Sequence, residues 1–89
     1  MQIFEAIRRM RELSRKNETF SMMFMSYNSS AGHSEGIVEV RHARLRARAQ
    51  ETHHHHAEII EEYVNVDTGE ARHFYQPLLM NFNGEKVYA

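Results

Sequence analysis

Apolar residues recur at helical spacing over the first sixteen positions and at strand spacing through most of the rest. Ile3, Ile7, Met10 and Leu13 stand three or four apart, and Phe4 and Ala6 widen the stripe. That pattern predicts an amphipathic helix over 2–16. Arg8, Arg9, Arg11, Arg15 and Lys16 lie mostly off the stripe, with Glu5–Arg9 and Arg8–Glu12 spaced as i,i+4 partners. Asn17 is suited to a left-handed C-terminal position. The next segment, about 19–28, is aromatic-rich and uncharged and reads as a strand. Phe20, Met22 and Phe24 share one of its faces. Met23, Met25 and Tyr27 share the other, so this strand wants cover on both sides.

After the Gly/Ser loop 28–36, a strand is predicted over about 35–48, and its alternation changes phase midway. Val38 and Val40 are apolar on the even face, whereas Ala43, Leu45, Ala47 and Ala49 are apolar on the odd face. A period of two slips by one only through a bend or bulge, placed by the pattern near Arg41 to Ala43. One long helix from Arg41 to Tyr63 is the competing reading, given its Ala, Arg, Leu, Gln and Glu content. Strict alternation of Arg44, Arg46 and Arg48 with Leu45 and Ala47 favours strands, as does the β-branched run from Ile59 to Val66. The return strand is placed at 58–66. Facing Val40 with Val64 and Val38 with Val66 sets His42 against Glu62 and Arg46 against Glu58. Asp67 to Glu70 forms a turn with Gly69 at positive φ. A strand over 71–82 would put Phe74, Leu78, Met80 and Phe82 on one face, with Pro77 marking an edge or bulge. Asn83-Gly84 is a type I′ hairpin signal leading to a last strand at 85–88. The expected architecture is a single α+β domain over 1–89. Its N-terminal helix packs on a strongly curved antiparallel sheet, or small open barrel, of about five strands.

Composition narrows the function classes more than it selects one. Hydrophobic residues make up 42% and charged residues 26% of 89 positions, which describes a small globular domain. The net charge of −1 gives no global attraction to nucleic acid or anionic membrane. No run approaches the ~18 apolar residues of a membrane span. The first residues lack the apolar core of a signal peptide. Cysteine is absent from the sequence, so a disulfide framework and thiolate chemistry are excluded.

Candidate chemistry is sparse. No nucleophile-elbow or His-Glu-x-x-His pattern occurs, and the adjacent Glu61 and Glu62 would point to opposite faces of a strand. No catalytic residue and no cofactor is therefore assigned, and an enzyme is not expected. His53, His54, His55 and His56 bring metal-binding imidazoles together at a loop. Consecutive loop residues rarely supply a closed four-ligand site, so a solvated polar loop is the favoured reading. Arg41, Arg44, Arg46 and Arg48 form a basic strand of the kind that tracks phosphates. Glu58, Glu61, Glu62, Asp67 and Glu70 on the following segment would cancel much of its field. Met23, Met25 and Tyr27 are the candidate protein-contact surface, because methionines and aromatics adapt to partners.

Phe24-Met25-Ser26-Tyr27-Asn28, Ser34-Glu35-Gly36, Ala43-Arg44-Leu45-Arg46, Asp67, Gln76-Pro77-Leu78 and Phe82-Asn83-Gly84-Glu85-Lys86-Val87 are spaced in a recognisable way. The chain after Thr19 thereby resembles small uncharacterised proteins encoded in prophages and mobile elements of Bacteroides-type gut bacteria. The resemblance implies a phage-associated accessory or structural role and cytoplasmic synthesis, with a place in the phage particle if the role is structural. The histidine run is not part of that pattern. The expected function is a non-enzymatic protein-interaction or assembly module that binds a protein partner or itself. A small nucleic-acid-binding barrel is the alternative, and no membrane association is expected.

Overall fold

The computed structural model describes residues 1–28, 33–46 and 59–89. Helix α1 spans Ile3–Arg15 and buries Ala6, Ile7 and Met10. Its stop is built from backbone hydrogen bonds. Glu18 N donates to Leu13 O at 2.9 Å and Asn17 N to Ser14 O at 3.0 Å, while Asn17 takes φ 62°. This is the Schellman arrangement, and asparagine is among the few side chains that tolerate its left-handed position. At the other end Ile3 N donates to Tyr88 O at 2.8 Å, so the chain's last residues satisfy a donor the helix leaves open. Glu5–Arg9 forms as expected at 3.1 Å, but Arg8–Glu12 does not. Arg8 lies 3.9 Å from Glu5, and Glu12 takes Lys16 at 3.6 Å.

Six strands follow: β1 Phe20–Asn28, β2 His33–Leu45, β3 Ile60–Asn65, β4 Ala71–Tyr75, β5 Leu79–Phe82 and β6 Glu85–Lys86. They form one antiparallel sheet in the order β4-β3-β2-β1-β5-β6. The α+β class, the N-terminal helix and the antiparallel sheet are thus as expected. The strand number is corrected from about five to six among the described residues. The sheet is open, with β4 and β6 at its edges, and the strong curvature expected for it is corrected to bends at identifiable irregularities. The extra strand arises at Pro77. Gln76–Leu78 forms a 3-10 turn that divides the predicted strand 71–82 into β4 and β5. Proline lacks an N–H for a ladder and suits the start of a helical turn. The division also shifts the apolar phase, so Leu79 is buried with Phe74 and Phe82, while Leu78 and Met80 are only half-buried.

The phase change in β2 is a bulge. Phe20 stands opposite Ala43 and Met22 opposite Val40, so Arg41 and His42 together oppose the single residue Ser21. The extra residue lets Val40 on one side and Ala43 and Leu45 on the other reach the same core. A second irregularity leaves Glu35 extra between Ser34 and Gly36, and Gly36 there takes φ 105°. That conformation is open to glycine and strained for other residues. The β2–β3 hairpin pairing exists, but its register differs by four residues from the expected one. Leu45 faces Tyr63, Arg44 faces Val64 and Ala43 faces Asn65. Val40, Val38 and His42 therefore do not face Val64, Val66 and Glu62. Arg46 rather than His42 meets Glu62, at 3.8 Å, while Glu58 lies outside the described residues. Because the slide crosses the bulge, it carries Val64 from the core face of Val40 to the outward face beside Arg44 and sets buried Tyr63 inward opposite Leu45.

The inner face and the helix share one core. Met10, Met22, Val40, Tyr63 and Phe74 are its largest fully enclosed side chains. Each such burial is worth about 1.5–3 kcal/mol before entropy is counted. Arg11 on α1 donates to Glu61 on β3, and Gln76 Nε2 donates to the same carboxylate oxygen at 2.8 Å. Glu61 is buried, so these donors offset the cost of removing its charge from water and fix the helix against the sheet. Asn83 and Gly84 have φ 49° and 81°, the signs that a type I′ hairpin demands.

Candidate functional site

Strand β2 is longer than its neighbours and is used unevenly. Its edge toward β1 is paired from His33 to Ala43. Its other edge meets β3 only from His42 onward, through Val66 N donating to His42 O and Arg46 N donating to Glu62 O, both at 2.9 Å. Chain β3 leaves this line at the Asp67–Gly69 turn, closed by Gly69 N on Asn65 O at 2.7 Å with Gly69 at φ 77°. Among the described residues, Ile37–Arg41 has no strand on that side. Beside it lies a cleft of about 540 Å³, between Val38–Val40 of β2, the Ala71–Tyr75 strand and the end of β1. This is within the ~300–1,000 Å³ range of ligand sites.

Aromatic rings build the cleft. Phe24 stacks on Phe74 at 5.4 Å and meets Tyr63 edge-on at 5.9 Å. At the mouth Tyr27 meets Tyr75 at 5.8 Å, and His73 meets Tyr75 at 6.0 Å, both edge to face. Phe24, Tyr27, Phe74 and Tyr75 come from β1 and β4, which have two strands, β2 and β3, between them in the sheet. Arg72 donates to Glu70 Oε2 from Nε at 3.2 Å and Nη2 at 2.7 Å. That hydrogen bond and charge hold the Glu70 carboxyl below its ordinary pKa and raise that of Arg72. Burial pushes the Tyr63 phenol above its ordinary value, against a lowering influence from the Arg72 charge.

The sequence-derived contact residues lie here in part. Met25 and Tyr27 line the cleft. Met23 and Met25 are half-buried, and Tyr27 is exposed. The cover expected on both faces of this strand is present, among the described residues, on one of them. Phe20, Met22 and Phe24 are buried, and their alternates are not. Across the ladder, Ile37 faces Met25 and Glu39 faces Met23. Ile37 is 55% exposed. Sequence reading passed over Ile37, whose signal was the apolar residue just before Val38 on the opposite face. It also passed over His73 as part of an aromatic group.

The basic strand is dispersed among partners. Arg44 Nη1 donates to Asn17 Oδ1 at 2.6 Å, Arg46 pairs with Glu62, and His42 Nδ1 lies 2.9 Å from Asp67 Oδ2. Arg41 is exposed. Arg48 and the histidines His53, His54, His55 and His56 lie outside the described residues. Among the described residues no cluster of three or more His, Asp or Glu side chains is placed to hold a metal. No helix among them is long and apolar enough to cross a membrane. Comparison with known proteins found no matching family model, no matching curated protein and no matching solved structure.

Proposed function

We propose that the chain is a non-enzymatic protein-interaction or assembly module whose contact surface runs from the outward face of β1 and β2 into the cleft. The observation that carries this reading is the Met25–Ile37 pair on the sheet face away from the core. Ile37 is left 55% exposed there, beside half-buried Met23 and exposed Tyr27. Apolar area of this kind gains about 25 cal/mol per Å² when a partner removes it from water. Methionine adapts its shape to such contacts. The resemblance to prophage-encoded proteins supports an accessory or structural role, with synthesis in the cytoplasm. The nucleic-acid alternative has weaker support, because Arg44 and Arg46 are already bonded to Asn17 and Glu62.

Sedimentation velocity at rising concentration, alone and with the products of neighbouring genes, tests the proposal. Self-association or complex formation is expected. The Met25→Lys/Ile37→Asp double variant should reduce it at least tenfold while keeping the fold. A strictly monomeric protein that binds none of those products sinks the reading.

A further inference from the structure

The Ile37–Arg41 edge of β2, which no strand among the described residues pairs, and the charges beside it specify a partner more closely, on the reading that this surface is a protein-contact site. Ser21 turns its backbone toward Asn83, accepting from Asn83 N at 2.9 Å and donating to Asn83 Oδ1 at 2.9 Å. By alternation Met22 and Phe24 turn theirs toward β2, where they face Val40 and Val38. Ile37, Glu39 and Arg41 therefore direct their N–H and C=O groups to the opposite edge, beside the cleft. Strand edges of this kind template an added strand, with the main chain giving affinity and alternate side chains giving selectivity.

We infer that the Ile37–Arg41 edge accepts an extended segment of a partner protein as an antiparallel strand that reads acidic, apolar, basic from its N- to its C-terminus. The order follows from the side chains on β2. Glu39 and Arg41 are both exposed, and neither is in an ion pair among the described residues, while Val40 between them points into the core. An antiparallel strand meets Arg41 first, then Val40, then Glu39. An acid opposite Arg41 and a base opposite Glu39 answer those charges. The residue opposite Val40 points into the cleft toward Phe24, Tyr63 and Phe74. A second copy of this chain does not fit the edge as well. Its own β2 continues as a strand from His33 to Leu45, and would run into β3 where that strand takes over at His42. A short segment that leaves the sheet after about five residues avoids this.

The test uses two blocked pentapeptides and the full chain, followed by amide NMR and hydrogen exchange. One reads aspartate–phenylalanine–lysine–threonine–threonine, and the other exchanges the aspartate and the lysine. The first is expected to bind with a dissociation constant on the order of 1 mM or better and to slow exchange of the Glu39 and Arg41 amides. It should bind about fivefold more tightly than its charge-exchanged counterpart, the value of two cross-strand charge pairs. The E39K/R41E variant, whose substitutions are on the surface, should reverse that preference. Equal binding of both peptides, or protection that avoids these two amides, overturns the inference. Failure of both peptides to bind overturns it as well. If Met25→Lys/Ile37→Asp still abolishes association in that last case, the interaction-module reading stands without strand addition.

Discussion

The two halves of β2 share a strand and an alternating sequence but have different surroundings. From His33 to Arg41 the strand is paired along one edge, and Ile37 and Glu39 face water. From His42 to Leu45 it is held on every side. Ala43 pairs with Phe20 on β1, β3 pairs on the far edge, and Leu45 N donates to Ser14 Oγ of the helix at 2.9 Å. That hydroxyl in turn donates to Met10 O at 2.7 Å, so one serine joins the helix to a ladder position that β1 has vacated. The bulge at Arg41–His42 separates the halves. Backbone pairing and contact with the helix are concentrated after the bulge, and exposed side chains before it, among the described residues.

Substitutions can break or sharpen this contrast. Leu45→Ala removes a core side chain and should cost about 2–4 kcal/mol in denaturant unfolding. Ile37→Ala, eight residues earlier, should stay within about 0.5 kcal/mol. Equal losses at the two sites would erase the distinction. Ser14→Ala strands the Leu45 N–H and is expected to cost about 1–2 kcal/mol, with faster exchange of that amide while the Glu39 amide is unaffected. The smallest effect concerns pH. Burial raises the Tyr63 phenol pKa above its unfolded value near 10.0. Its contribution is therefore complete below pH 10 and declines as pH rises through the folded-state value, because the unfolded chain ionises first. Tyr63→Phe should flatten stability in that alkaline window, as read by urea unfolding at successive pH values. An unchanged slope would contradict the assignment.

Much of the fold is legible because it follows from short-range rules. Asn17, Gly69 and Asn83-Gly84 mark backbone positions that few other residues adopt, and each lies at positive φ. The change of face between Val40 and Ala43 announces its bulge, since side chains in a strand alternate without exception. The site is legible only in part. Met25 and Tyr27 stand out as apolar residues opposite a buried face, but nothing local says that Tyr75 will meet both Tyr27 and His73, or that Glu39 and Arg41 will form no ion pair among the described residues. The division of 71–82 was signalled by Pro77, but not the consequence that its two pieces join opposite ends of the β3-β2-β1 unit.

By itself, the sequence determined the helix and its stop, the turns, the buried face of β1, and the bulge that reconciles the two apolar phases of β2. These depend on periodicity and on backbone preferences within a few residues. The tertiary structure alone decided how far β3 slides along β2, where β4 and β5 lie, and that Ile37–Arg41 keeps one edge beside a cleft. The slide of four residues crosses the bulge and leaves Tyr63 inward and Val64 outward, so packing against α1 and across the sheet, rather than any local signal, decides which side chains become neighbours.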